Sequence, residues 1–134
     1  RCAVMFVDLD NFKCINDEFG HDAGDEILCE VSKRLSLQVR ASDTVARLGG
    51  DEFIVLVVDL DSVKEINHIA QKIIASIQKP MPYENPKTPL TTSIGISLFP
   101  DHDTSPQGLI KKADQAMYIA KQKGKNCHST YWDS

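Results

Sequence analysis

Thr44-Val45-Ala46-Arg47-Leu48-Gly49-Gly50-Asp51-Glu52-Phe53-Ile54-Val55-Leu56-Val57-Val58 sets a glycine pair and two acids between two apolar runs. Glycine reaches positive φ without a steric penalty, so the segment reads as a β-hairpin with strands around 44–48 and 53–58. Asp51 and Glu52 are then held at a sheet's end. Working outward, Ala3-Val4-Met5-Phe6-Val7 is an unbroken apolar run ending at Asp8-Leu9-Asp10, the pattern of a strand buried on both faces and central in its sheet. A helical stretch is predicted from about Asn11. It is interrupted at Gly20-His21-Asp22 and resumes with Ile27, Leu28, Val31, Leu35 and Val39 on one face, until Arg40-Ala41-Ser42-Asp43. Beyond the hairpin, Ile66, Ile69, Ile73 and Ile77 share one side of a helix that Pro80 and Pro82 stop. The segment 83–87 reads as a turn, and Leu90 to Leu98 alternates as a strand closed by Pro100. Leu109, Ala113, Met117 and Ala120 mark a last helix with Gly124 as its C-terminal cap. Strand, helix, hairpin, helix, strand, helix is the order of an α/β (α+β) sandwich, a central, mostly antiparallel sheet flanked by helices.

Composition narrows the functions open to this fold. The 134 residues suffice for one packed core, and no repeat or linker divides them, so a single domain over 1–134 is expected. Fifteen basic against nineteen acidic residues give a net charge of −4, which disfavours long nucleic acid while leaving room for a small anion at a local cationic cluster. Cys2, Cys14, Cys29 and Cys127 show no close pair spacing and read as reduced thiols, which suggests the cytoplasm. No apolar run is long enough to cross a bilayer, and no direct membrane contact is expected of this segment. Arg1-Cys2 leads straight into a strand, so further chain is expected before it.

The chemistry is sought where strands end. Asp8 closes the first strand and Asp51 sits in the hairpin turn; if the two strands are neighbours, their carboxylates converge. Convergent oxygens suit magnesium, which takes one or two carboxylates plus phosphate oxygens, better than zinc, which prefers nitrogen and sulfur. A plainer role for Asp8-Leu9-Asp10 is a strand end with a helix N-cap. For Asp51-Glu52 it is a solvated turn, weakened because the glycines alone would make the turn. Asp22-Ala23-Gly24-Asp25 likewise reads as an N-cap followed by a first-turn acid.

Gly49-Gly50-Asp51-Glu52-Phe53 resembles the signature of the GGDEF family of diguanylate cyclases, and the similarity covers nearly the whole chain. Asp8-Leu9-Asp10-Asn11-Phe12-Lys13, Ile15-Asn16-Asp17 and Gly20-His21-Asp22-Ala23-Gly24-Asp25 are similar to its nucleotide-binding stretch. Ser93-Ile94-Gly95-Ile96-Ser97 and 113–121 resemble its later strand and last helix. The resemblance implies a fold like the palm of nucleotidyl-transferring enzymes. It also implies condensation of two GTP into cyclic di-GMP with release of two pyrophosphates, using magnesium or manganese. The family's leading helix and its Leu-Thr-Gly-Leu-type segment are absent from this sequence, which suggests a fragment of a longer signalling protein.

Residue roles follow from the same resemblance. Asp8 and Asp51 would hold the metals with the backbone carbonyl of Leu9; Glu52 would act as general base toward the ribose 3′-hydroxyl or strengthen the metal site. Gly49 and Gly50 would admit the phosphates, and the helix start at Phe12 and Lys13 would bind them, Phe12 mainly through its backbone. Asp25 would accept from guanine N1–H and N2–H, with Asn16 completing the readout. Lys121 and Lys125 would reach the triphosphate; Lys125 stands where many members carry arginine, which keeps the charge without the planar fork. Arg40-x-x-Asp43, five residues short of Gly49, is similar to the family's inhibitory motif and implies binding of the product cyclic di-GMP, with a second arginine unidentified. One site per domain and two nucleotides per product imply a homodimer.

Overall fold

The structure, a computed structural model, describes residues 1–83 and 87–131, so the centre of the expected 83–87 turn lies outside them. In chain order the elements are β1 (Cys2–Asp10), α1 (Phe12–Phe19), α2 (His21–Leu37), β2 (Thr44–Gly49), β3 (Glu52–Val57), α3 (Val63–Ile77), β4 (Thr91–Phe99), α4 (Pro106–Gln122) and β5 (His128–Thr130). The sheet order is β2-β3-β1-β4-β5, with β1 central as its apolar run predicts. The β2–β3, β3–β1 and β1–β4 pairs are antiparallel and β4–β5 is parallel. The expected α+β sandwich with a mostly antiparallel sheet is therefore the fold observed.

Side-chain alternation along β1 feeds two cores. Met5, Val7 and Leu9 join Phe53, Val55, Val57, Ile94 and Ile96 beneath α2 and α3, which contribute Ile27, Val31, Leu35, Ile66, Ile73 and Ile77. Val4 and Phe6 face the other way, against Leu109, Ala113 and Met117 of α4, with Ile54 and Leu56 beside them. Gly95 allows that second packing: a Cβ there would collide with the Ala113 carbonyl and the Met117 amide. The even-numbered face of β1, which includes Asp8 and Asp10, is thus the face toward α4.

Three boundaries differ from the sequence reading. Asp22 does not cap α2; Gly20, at φ 93°, occupies the cap and the helix begins at His21, which leaves Asp22 in its first turn. α2 ends at Leu37, so Val39 packs on the core from beyond the helix. The short strand β5 was not expected at all. Gly49 and Gly50 do take positive φ, 152° and 52°, and a register shift between Arg47 and Gly49 re-aims the turn.

Candidate active site

The β1–β3 register sets Asp8 directly opposite Glu52, and the Leu9 amide donates to the Asp51 carbonyl at 3.1 Å. Strand pairing alone thus brings Asp8, Leu9, Asp51 and Glu52 to one sheet edge. Lys121 arrives from α4, 3.3 Å from Asp8 Oδ2 and 3.2 Å from Asp10 Oδ1. Asp10 is buried and fully engaged: it accepts from Thr91 Oγ1 at 2.7 Å, Ser93 Oγ at 2.8 Å and the Asn126 amide at 3.1 Å. It ties β4 and Lys121 to the end of β1, and it is not the helix cap that the sequence reading allowed for Asp8-Leu9-Asp10. Asn11, at φ 69°, holds the cap position of α1.

Electrostatics separate these acids. Burial, reinforced by Asp51 and opposed by Lys121, raises Asp8 to about 6. Glu52 is raised by burial and then by Asp51 and Asp114. Burial works against the Lys121 ammonium, but Asp8 and Asp10 outweigh it and hold the amine above its usual range. Asp8 Oδ1 is buried with no hydrogen-bond partner among the described residues. An orphaned carboxylate oxygen between two further acids is an acceptor that a cation would satisfy. Among the described residues no three His, Cys, Asp or Glu side chains group closely enough to hold a metal unaided. The donors present therefore suit an ion that completes its shell from backbone and ligand oxygens, as magnesium does.

The remaining predicted residues fall into three places. At the start of α1 no side chain caps the helix, so its first amides stay available; Phe12 is buried in the core and Lys13 is exposed. Asn16 packs against α2 at Gly24, where a Cβ would collide with Asn16 Oδ1. The next residue, Asp25, lines an open cleft of about 440 Å³ with Leu28, Cys29, Ser32, Arg47 and Phe53. Lys125, at φ 65°, is exposed in the turn after α4, while Lys121 is drawn into the acid cluster.

Arg40 and Asp43 lie apart from this edge, where β3 ends. Asp43 accepts from the Arg40 amide at 2.9 Å and the Val58 amide at 3.0 Å, and the Arg40 guanidinium donates to the Val58 carbonyl. Burial opposes the Asp43 charge, yet those amides and Arg40 outweigh it and keep the carboxyl below its ordinary range. The pair lines a cavity of about 210 Å³ with Glu65, His68 and Lys72. Lys72 and His68 were missed in the sequence because their position beside Arg40 depends on how α3 packs.

By its fold and the position of its acids, the chain is an α+β domain whose central strand and neighbouring hairpin present carboxylates at a single sheet edge. More particularly, it belongs to the GGDEF family: the family model described as "Diguanylate cyclase, GGDEF domain" matches residues 1–127. It is 48% identical over 126 residues to the diguanylate cyclase TpbB of Pseudomonas aeruginosa, covering 93% of this chain and 29% of that protein. It is 43% identical to the bifunctional diguanylate cyclase/cyclic di-GMP phosphodiesterase MucR of the same organism, over 94% of this chain and 18% of MucR. The crystal structure of the TpbB GGDEF domain superposes with a TM-score of 0.89 at 45% identity, covering 96% of this chain and 81% of that one. The chain thus spans under a third of the length of either full-length relative.

Proposed function

We propose that this chain is half of a diguanylate cyclase site, which with a second copy condenses two GTP into cyclic di-GMP and releases two pyrophosphates. The observation that carries the reading is the buried, unpartnered Asp8 Oδ1 beside the Asp51-Glu52 hairpin. Magnesium or manganese would be held by Asp8 and Asp51 with the Leu9 carbonyl, and Glu52 at hand; bound there, it neutralises charge on the phosphate oxygens. The open amides at the start of α1, at Phe12 and Lys13, receive phosphate. Gly49 and Gly50 keep side chains out of its way. Lys121 exchanges Asp8 for a phosphate oxygen, and Lys125 adds charge from the neighbouring turn. Asp25 and Asn16 select guanine. Glu52, its carboxyl raised by burial, takes the proton of the 3′-hydroxyl or serves as an added metal ligand. The 3′-oxygen of one GTP then bonds to the α-phosphorus of the other as pyrophosphate leaves, and the reciprocal step closes the ring.

The test is GTP turnover by a forced dimer of the chain in magnesium, with Asp51→Ala as control. Metal-dependent cyclic di-GMP supports the reading, and its absence rejects it. A second reading, a regulatory module that binds nucleotide without turnover, is favoured by the Lys121 ammonium already seated on Asp8. Titration showing GTP binding in a dimer that forms no product would establish it instead.

Product inhibition belongs to the same proposal. Lys72 adds a second cation beside Arg40 in the cavity that Asp43, Glu65 and His68 also line, a mixed set of donors and acceptors suited to a cyclic dinucleotide. Unchanged cyclic di-GMP affinity in Arg40→Ala, read by isothermal titration, would remove that site. No helix among the described residues is long and apolar enough to cross a membrane. We assign the domain, as part of a longer signalling protein, to the cytoplasm, where GTP is available.

A further inference from the structure

The cleft beside Asp25 has a second charged wall. Asp25, Leu28, Cys29 and Ser32 stand at i, i+3, i+4 and i+7 on α2 and form one face of it. Opposite is the edge strand β2, where Arg47 pairs with the buried core residue Phe53 and therefore points to the α2 side of the sheet. Arg47 Nε donates to the Gly50 carbonyl at 3.0 Å. Its two Nη groups have no partner among the described residues, and neither does the Asp25 carboxylate. Both line the cleft without forming an ion pair. A free carboxylate on one wall and a tethered, free guanidinium fork on the other, in a cleft that Leu28 and Phe53 also line, make a slot for a flat ring with donors on one edge and acceptors on the next.

We infer that Arg47 is a specificity-determining residue, reading the O6 and N7 acceptors of the guanine whose N1–H and N2–H donors Asp25 accepts. The inference rests on the GTP reading above and adds to it a residue that carries no role in the sequence analysis. Arginine donating to O6 and N7 is a geometry that the planar fork matches with two parallel bonds. Adenine places an amino group where guanine has O6, so it sets donor against donor at Arg47 as well as losing the pair at Asp25. The Nε bond to Gly50 aims the fork and joins base recognition to the hairpin that carries Asp51.

The experiment compares GTP and 7-deaza-GTP, which lacks the N7 acceptor, by isothermal titration in calcium on the parent chain and on Arg47→Met. Arg47 is exposed on an edge strand, so its removal spares the core. The parent is expected to bind GTP roughly tenfold more tightly than 7-deaza-GTP, and Arg47→Met to bind the two alike. The cycle isolates the contact: loss of the Gly50 bond alone weakens both nucleotides equally and preserves their ratio. A preserved ratio, or no preference in the parent, overturns the role of Arg47 and leaves the GTP reading standing. A parent chain that binds neither nucleotide overturns both.

Discussion

Asp8 concentrates the chemistry of the site in one side chain. Its carboxyl titrates at about 6 in the folded chain against an ordinary 3.8, because burial and Asp51 outweigh Lys121. Between those values the folded state binds the extra proton, so the stability Asp8 contributes is full below about pH 4 and is lost as pH rises through 6. Asp8→Asn removes that loss. The metal-free variant is expected to be more stable than the parent at pH 7.5, by about 1 kcal/mol after solvent screening, and to match it near pH 4. Thermal melts in chelator measure this. Added magnesium should raise the melting temperature of the parent and leave the variant unmoved, while cyclic di-GMP formation by the variant is abolished. Coincident melts at every pH would contradict the burial argument. The positions of Asp8, Asp51 and Glu52 were legible because each stands at one end of an apolar run. The role of Asp10 was not, since its partners Thr91 and Ser93 lie more than eighty residues away and only the β1–β4 register brings them to it.

Elements hold the site in position through close approaches at glycine. At Gly95, β4 meets α4 with no room for a Cβ, and α4 carries Lys121 to Asp8 and Asp10. Gly95→Ala is expected to cost about 1–3 kcal/mol in denaturant unfolding, as overpacked cores do, and to reduce turnover by withdrawing Lys121. Full activity in that variant would mean the α4 contact does not set the site. At Gly24 the outcome differs, because the obstructing atom is the tip of the flexible Asn16 side chain. Gly24→Ala gains helix propensity of up to about 1 kcal/mol, which offsets the clash. Its melting temperature should stay near that of the parent while GTP affinity falls several-fold as Asn16 is displaced; unchanged affinity would take Asn16 out of base recognition. Periodicity made the large elements legible, from the central strand to the isoleucine face of α3. It could not show β5, three residues long and joined in parallel to β4 only because α4 returns the chain there. Nor could it show that Gly20, rather than Asp22, caps α2, since a polar first turn looks the same in sequence either way.

At the scale of the molecule, the proposed cyclase reading makes the site in one chain half of what the product requires. One sheet edge offers one set of converging acids and one cleft beside Asp25, yet cyclic di-GMP contains two reciprocal 3′–5′ bonds. On that reading each copy presents its nucleotide's α-phosphate to the other's 3′-oxygen. If each half activates one of those bonds, disabling a single half should stop the reaction midway. A forced heterodimer of one parent chain and one Asp51→Ala chain is expected to form one phosphodiester bond and release one pyrophosphate. It then accumulates a linear dinucleotide that keeps a 5′-triphosphate, measurable by anion-exchange separation of the products. The parent homodimer carries the same intermediate through to the cyclic product, and the double variant makes neither. Cyclic di-GMP from the heterodimer at half the parent rate would show that one acid set serves both bonds. In that case the hairpin of a single chain would already be a whole catalytic centre, and the second copy would supply only its nucleotide.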